Sequence, residues 1–406
     1  MSAPMIASCL VVGSDPRTAA ADAARSVAAA LGERPDLAVV FASPALSREP
    51  EIIRDAIAST LAPRHLIGCT GEAIIGIGQE IEDQPAAVVW AAVLPGARIT
   101  PIRALGWRDV DGSVEAAGWP TSAGDPATDT NLPGPDDVVI ALADPWSFPI
   151  DILLGLTNAS TWQPQVIGGL ASGGTRQGEH VLWLDDQDYR EGLVGVSIGG
   201  ANLITVVSQG CTPIGPEMVV TDADGFGHIA ALAGKPALTK LQDILNDLDN
   251  DALELANSGV TVGIVMNENQ PDYARGDFLM RGLLGANPDT GEIHIGEHVR
   301  VGQTLRLHVR DQASADQDLR AAAREASTQL GGPVAGALVF SCNGRGTHMF
   351  DQPHHDARVV AEELGDPPIA GLFCNGEIGP VGGRNFLHGF TATIAVFAAT
   401  HHVSPL

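Results

Sequence analysis

The chain has 406 residues, of which 45% are hydrophobic and 18% are charged, so it can bury a sizeable core and is not a disordered protein. Its 23 Lys and Arg residues against 49 Asp and Glu residues give a formal net charge of −26. A surface of that charge repels phosphate backbones and anionic headgroups, which argues against nucleic acid and membranes as partners. Five cysteines, an odd number spread along the chain, indicate reduced thiols and a cytoplasmic protein.

The predicted elements alternate between short apolar strands and Ala-rich helices. Helices are predicted over 18–31 and 50–61, with a strand over 37–42 between them. The stretch 106–135 is rich in Gly, Pro, Asp, Ser and Thr, which predicts a long exposed connection. Residues 238–255 have the apolar spacing of one amphipathic helix, which we interpret as a hinge between two halves of the chain.

A unit of strand, helix, strand and closing strand can be read three times along the chain. The first strands cover 39–43, 139–143 and 339–343, the second strands end in 67–72, 167–172 and 372–377, and the closing strands cover 87–93, 193–198 and 391–397. The fold class expected from this pattern is α/β, in a mixed α+β form. Repeated strand–helix–strand–strand units would form mixed sheets in two packed parts.

Polar residues follow the strands of the third unit, where ligand crevices usually lie. Arg345 offers a fork of donors to a carboxylate, and Glu377 offers an acceptor to an amine. Asn343, Asn375 and the backbone of Gly376 would line the same hollow, since glycine lets the backbone approach a ligand closely. The alternative is that Arg345 and Glu377 simply pair with each other in a tight turn.

Further candidates for the lining come from both halves of the chain. Thr70 and Glu72 would contribute if the repeats face each other, and Arg281 either reaches the crevice or forms a structural ion pair. The remaining candidates lie beside these motifs and are Cys69, Ser172, Cys342, Gly344, Cys374 and His388.

The cysteines leave a second class of function open. A thiol-dependent enzyme would use Cys342 or Cys374 with His388, and it would need a low thiol pKa. Neither CxxC nor HExxH occurs, and the Cys–His spacing fits no standard zinc site, so we expect no metal and no cofactor. A third interpretation is an interaction protein without a pocket. The balance favours a protein that is not an enzyme.

Several of these motifs, in this order, resemble the FIST family of intracellular sensory domains. The resemblance to the FIST N part rests on Ile67-Gly68-Cys69-Thr70-Gly71-Glu72, on 166–172 and on 210–223. The resemblance to the FIST C part rests on 278–284, 289–295, 341–346, 371–380 and 387–391. The family's layout implies a FIST N-like domain over 25–236 and a FIST C-like domain over 237–400.

The resemblance implies ligand sensing in signal transduction, with a small molecule such as an amino acid as the ligand. No kinase, cyclase or methyl-acceptor segment is visible in the chain, so we expect the signal to pass through a separate protein partner. The sequence leaves a homo-oligomer open.

Overall fold

The computed structural model describes residues 3–108, 114–119, 134, 136–160, 163–257, 259–273 and 276–399. The chain divides into two compact units. The first unit combines Met1–Val207 with Leu319–Leu406, and the second unit is Ser208–Asp318. The domain boundaries expected from the family's layout, 25–236 and 237–400, do not coincide with these units and stay a prediction.

The elements follow one another in three stretches of the chain. The first stretch contains β1 (Met5–Val12), α1 (Pro16–Leu31), β2 (Leu37–Ala42), α2 (Pro50–Leu61), β3 (His65–Thr70), β4 (Ile74–Gly76), β5 (Gln79–Ile81), β6 (Ala86–Val93), β7 (Arg98–Arg108), β8 (Val114–Ala117), β9 (Val138–Ala143), α3 (Ile150–Ala159), β10 (Gln165–Leu170), β11 (Leu182–Leu184), β12 (Gln187–Tyr189), β13 (Leu193–Gly199) and β14 (Leu203–Ser208). The second contains β15 (Cys211–Ala223), β16 (His228–Leu232), β17 (Lys235–Pro236), α4 (Ala237–Asn246), α5 (Asn250–Asn257), β18 (Val260–Val265), β19 (Phe278–Asn287), β20 (Glu292–Ile295) and β21 (Thr304–Arg310). The third contains α6 (Gln312–Leu330), β22 (Val334–Cys342), α7 (His355–Leu364), β23 (Ile369–Cys374), β24 (Glu377–Val381), β25 (Arg384–His388) and β26 (Ala392–Ala398).

Local sequence signals explain the ends of α1, the helix predicted over 18–31. The Asp15 side chain accepts a hydrogen bond from the Thr18 backbone N–H at 2.7 Å, and Pro16 occupies the first turn. Gly32, with φ of 70°, ends the helix in the left-handed region that glycine adopts at little cost. The predicted helix over 50–61 coincides with α2, and the predicted strand over 37–42 coincides with β2.

Two of the predicted segments differ from the structure. The single helix expected over 238–255 is broken into α4 and α5, because the Asp249 side chain accepts a hydrogen bond from the Ala252 N–H at 2.8 Å and caps a new helix. Both helices lie inside the second unit, so they are not a hinge between the units. Of the expected connection over 106–135, residues 106–108 and 114–117 belong to the paired strands β7 and β8, and residues 109–113, 120–133 and 135 lie outside the described residues.

The described part of the first unit forms three mixed sheets that share one strand order. These are β1-β6-β2-β3-β11-β12, then β8-β7-β13-β9-β10-β24-β25, and finally β14-β26-β22-β23-β4-β5. Each sheet has a parallel pair of strands at its centre and an antiparallel closing strand beside that pair. The hairpin at the far edge of each sheet comes from a different one of the three sequence repeats. The hairpin β4–β5 joins the third sheet, β11–β12 joins the first, and β24–β25 joins the second. The mixed α/β class is therefore confirmed, and common ancestry of the three units stays a prediction.

Three glycines occupy matching positions in these sheets. Gly68, Gly168 and Gly371 each face a carbonyl oxygen of the neighbouring first strand, which a Cβ atom would approach within 2.2, 1.9 and 2.1 Å respectively. Because such distances are impossible, each site accepts glycine only. The three glycines therefore mark equivalent positions in the three sheets, and residues of different sheets can be matched by counting from them.

The inner faces of the three sheets share one apolar core. Phe41 of β2 meets Phe340 of β22 edge-on at 6.0 Å, and Ile140 of β9 belongs to the same buried cluster. The outer faces pack against helices, as the Ala-rich face of α1 does against β2 and β6. Among the described residues, no helix has the length and apolar character needed to cross a membrane.

The second unit is built on an antiparallel barrel. Its strands pair in the order β15-β21-β18-β19-β20-β16, and β16 pairs back with β15 to close the ring. Ile214, Val262 and Leu307 are among the buried residues of its core.

Candidate functional site

Backbone hydrogen bonds bring the second-strand ends of all three sheets together. The Ser172 N–H donates to the Thr70 carbonyl at 3.1 Å, and the Asn375 N–H donates to the Leu170 carbonyl at 3.2 Å. The Glu72 N–H donates to the Ser172 hydroxyl at 2.7 Å. The predicted meeting of strand ends from both halves of the chain is therefore present within the first unit.

Counting from the three matching glycines shows which residues of the three repeats occupy equivalent positions. Glu377 pairs with Gly169, Leu182 pairs with Cys69, and Ile74 pairs with Leu372. Each of these pairs lies next to one of the three matching glycines, so Glu377 occupies the position of Leu182 and Ile74. Those two residues are fully buried aliphatic side chains.

Glu72 is the acidic residue of the similar motif in the first repeat. It does not occupy the position of Glu377, and its side chain is exposed. At this matched position the third repeat therefore has a buried carboxyl, Glu377, where the other two repeats have the aliphatic side chains of Leu182 and Ile74.

Arg345 lies at the centre of the third repeat's polar residues and is fully buried. Its Nε and Nη2 donate to the two carboxylate oxygens of Asp356 at 2.7 and 2.8 Å. The pairing of Arg345 with Glu377, which the sequence left open, is therefore replaced by a bidentate pair with Asp356. Nη1 of Arg345 has no hydrogen-bond partner among the described residues.

Asp356 is held ionised by its partners. Burial alone would raise its pKa, but the charge and hydrogen bonds of Arg345, together with a hydrogen bond from His355, bring it well below the ordinary range. Sequence analysis missed Asp356. An acidic residue in the first turn of a helix, as Asp356 is in α7, was the sequence feature that could have indicated it.

Glu377 is fully buried beside this pair. Its Oε2 accepts hydrogen bonds from the Thr391 N–H at 3.0 Å and the Thr391 hydroxyl at 2.9 Å. Its Oε1 accepts none from the described residues. Burial raises the pKa of Glu377 to about 8, although the Thr391 bonds, the Cys342 thiol and the charge of Arg345 act in the opposite direction. Glu377 is thus mostly a neutral acid at neutral pH.

Glu80 is a second buried carboxyl of this kind, and sequence analysis missed it as well. It lies on β5, and its Oε1 accepts a hydrogen bond from the Ala357 N–H at 2.9 Å, while Oε2 has no partner among the described residues. Burial and the charge of Asp356 raise its pKa to about 8. We call Glu80, Arg345, Asp356 and Glu377 the buried charge cluster.

Half-buried or exposed residues lie near members of the buried charge cluster in the chain, namely Asn343, Gly344 and Asn375. The Asn343 Nδ2 donates to Asn375 Oδ1 at 2.8 Å, and Asn375 is exposed. Phe390 lies over Gly344, where a Cβ atom would come within 2.5 Å of its ring. The Phe390 backbone has a φ of 63°, a left-handed conformation that is costly for an aromatic residue.

Burial disfavours the thiolate form of the three candidate cysteines, Cys69, Cys342 and Cys374. Burial, with a contribution from Glu377, raises the pKa of Cys342 to about 12, and burial raises the pKa of Cys374 and of Cys69 well above the ordinary value. His388 Nε2 donates to the Gly379 carbonyl at 3.0 Å. In the part of the chain that the structure describes, no three His, Cys, Asp or Glu side chains gather as metal ligands would.

Arg281 and Ser172 have structural partners. Arg281, in the second unit, donates from Nε to Glu297 at 2.9 Å, which is the ion pair that the sequence left as one of two options. The Ser172 hydroxyl donates to the Phe373 carbonyl and so ties the loop after β10 to β23.

The two raised carboxyl pKa values predict a specific dependence of stability on pH. Between the ordinary value of 4.5 and about 8, the folded state keeps protons on Glu80 and Glu377 that the unfolded chain has lost. Their contribution to stability is therefore full below pH 4.5 and is lost as the pH rises through 8. We expect the free energy of unfolding to fall less steeply over this window in the Glu80→Gln/Glu377→Gln double variant than in the wild type.

Denaturant titrations at a series of pH values measure this slope. Glu72→Gln, at an exposed site, is the matched control and should keep the wild-type slope. Parallel curves for the wild type and the double variant would contradict the assignment of buried neutral carboxyls.

Comparison with known proteins identifies relatives along nearly the whole chain. The FIST N domain model matches residues 36–235, and the FIST C domain model matches residues 237–380. The uncharacterized protein Rv0628c of Mycobacterium tuberculosis strain H37Rv is 41% identical over 385 residues, which cover 94% of this chain and 97% of the relative. The uncharacterized protein Mb0898c of Mycobacterium bovis is also 41% identical over 385 residues, which cover 94% of this chain and 96% of the relative.

Proposed function

Since the chain belongs to the FIST family, whose domains are associated with sensory, small-ligand-binding roles in signalling, we propose that it is a cytoplasmic sensor of an amino acid or similar small polar metabolite. The ligand binds at the buried charge cluster of the first unit. The observation that carries this proposal is Glu377, a buried carboxyl at a position that is aliphatic in the other two repeats.

Polar atoms left without partners support this choice of site. Buried polar side-chain atoms are almost always hydrogen-bonded in folded proteins. Here Arg345 Nη1, Glu377 Oε1 and Asn343 Oδ1 find no partner among the described residues. The charge of Arg345 acts on the pKa of Glu377, and we expect a single small molecule to satisfy both groups.

The chemistry of the cluster selects the ligand. An ammonium group beside Glu377 favours the ionised carboxylate, so binding near neutral pH lowers the pKa of Glu377 and releases a proton. A ligand carboxylate accepts a hydrogen bond from Nη1 of Arg345, because Nε and Nη2 already donate to Asp356. Two charge-assisted bonds of about 1.5–3 kcal/mol each, with apolar contact, account for micromolar affinity.

The loop 389–391 gives a route from binding to a signal. Thr391 holds this loop on Glu377, and Phe390 keeps its left-handed backbone while it is held. A ligand amine that bonds Glu377 Oε1 and draws this side chain away from Thr391 frees the loop, and Phe390 can then leave Gly344. A separate signalling partner reads the new surface.

A thermal-shift screen of the standard amino acids tests the proposal. At a hundredfold excess over its Kd, a ligand stabilises the folded state by about 2.7 kcal/mol, which is a shift of several degrees. We expect at least one amino acid to stabilise the wild type and Glu72→Gln equally. Glu377→Gln keeps an acceptor for Thr391 but cannot ionise, so it should fold and lose the response.

Two results would count against the proposal. One is a screen in which no amino acid shifts the wild-type melting temperature. The other is a response of Glu377→Gln as large as that of the wild type, which would move the site away from the buried charge cluster.

A further inference from the structure

A separate cavity of about 280 Å³ lies within the second unit. It is close to the lower end of the volumes that hold small ligands in proteins, about 300–1,000 Å³. Apolar side chains such as Pro213 and Met280 line part of it. The volume suits a single small ring with a polar substituent.

One wall of the cavity is aromatic. The rings of Tyr273 and Phe278 lie 5.9 Å apart at 69°, and those of Phe278 and His308 lie 5.1 Å apart at 64°. Only 4% of the chain is aromatic and it has only two tyrosines, so three rings in successive edge contacts are a local concentration. Such a wall favours another flat ring over an aliphatic body of the same size.

Hydrogen bonds hold this wall in place. The buried Gln209 side chain donates from Nε2 to the Phe278 carbonyl at 2.9 Å and accepts from the Met280 N–H at 3.2 Å. Asp318 Oδ2 accepts from the Gln209 N–H at 2.6 Å and the Gly210 N–H at 2.9 Å. The cavity is therefore preorganised, which lowers the entropic cost of binding.

Arg306 supplies the polar side of the cavity. Its Nε donates to the Gly215 carbonyl at 2.9 Å, and its Nη1 lies 3.8 Å from Glu217, so the guanidinium is held at the wall. His308 Nδ1 donates to the Arg306 carbonyl at 3.1 Å, and burial lowers the pKa of His308 to about 4, so this ring is neutral. A guanidinium recognises carboxylate and carbonyl oxygens.

We propose that this cavity is a second ligand site, which binds a flat aromatic ring carrying a carboxylate or carboxamide. The ring lies against Tyr273, Phe278 and Met280, and the acceptor oxygen takes a hydrogen bond from Arg306. This inference concerns the second unit and does not depend on the function proposed for the buried charge cluster of the first.

Titration of the full chain with benzoate, benzamide and cyclohexanecarboxylate tests the site, with Kd from calorimetry and contacts from ligand-observed NMR. We expect saturable binding of benzoate, and cyclohexanecarboxylate should bind at least about fivefold more weakly because it lacks the aromatic ring. Binding of benzamide as well would mean that the oxygen acceptor is recognised, and binding of benzoate alone would mean that charge is recognised. Either result supports the site.

Variants separate this cavity from other surfaces. Arg306→Met and Tyr273→Leu should each weaken benzoate binding about tenfold or more, and Tyr273→Leu carries the test if Arg306→Met does not fold. Arg300→Met, at an exposed residue of the same unit, is the matched control and should bind as the wild type does. The inference is overturned if neither aromatic probe binds, if cyclohexanecarboxylate binds as tightly as benzoate, or if Tyr273→Leu retains wild-type affinity.

Discussion

Replacement of Arg345 by methionine should lower the free energy of unfolding of the first unit by about 3–5 kcal/mol. The substitution removes a fully buried guanidinium and leaves Asp356, also fully buried, as a charge without its bidentate partner. An uncompensated buried charge costs much more than the lost hydrogen bonds alone. All six tryptophans lie before residue 208, so denaturant unfolding followed by tryptophan fluorescence reports on the first unit.

Two further variants make this result interpretable. Arg320→Met breaks a more exposed ion pair, with Glu362 and Glu363, and should cost at most about 1 kcal/mol. The double variant Arg345→Met/Asp356→Leu removes both charges and should recover much of the loss, because an apolar pair of similar volume can replace a buried ion pair. A loss of less than about 1 kcal/mol in Arg345→Met would show that the pair does not hold the third repeat together.

Replacement of Gly371 by alanine should cost about 3 kcal/mol or more, or prevent folding of the first unit. The new Cβ would lie 2.1 Å from the Val339 carbonyl oxygen, so the central parallel strands β22 and β23 must separate. Neighbouring side chains cannot relieve a clash between two backbones.

Gly155→Ala gives a matched control in the same unit. Gly155 lies in α3, and a Cβ added there would meet no atom within 4 Å, so alanine should stabilise the helix by up to about 1 kcal/mol. Denaturant unfolding of both variants measures the difference. Equal stability of Gly371→Ala and the wild type would contradict the common register from which the match of Glu377 with Leu182 and Ile74 is derived.

The elements of the first unit were predictable because their signals are local. Asp15, Pro16 and Gly32 mark both ends of α1, and the fully buried strand β2 reads as a continuous apolar run. The exchange of hairpins between the three sheets was not predictable, since the pairing of short edge strands depends on which sheets lie next to each other.

The candidate site was predictable only in part. The charge of Arg345 acts on the pKa of Glu377, and the prediction that the two residues share one ligand stays a prediction. The similarity of Thr70-Gly71-Glu72 to Asn375-Gly376-Glu377 was misleading, because the register set by the glycines shifts the two motifs relative to each other.

Glu80 was missed for a related reason. It reaches the site on a hairpin that belongs to the first repeat in sequence and to the third sheet in space, where it contacts Ala357. A contact across that many residues leaves no local pattern in the sequence.

The central claim is that a ligand amine binds at Glu377, and calorimetric titration tests it most directly. The titration uses the amino acid that stabilises the wild type most, in two buffers that differ in ionisation enthalpy, near neutral pH. The account predicts different heats in the two buffers for the wild type, which correspond to release of a proton, and no binding by Glu377→Gln. Equal heats in both buffers, with undiminished affinity in Glu377→Gln, would contradict it.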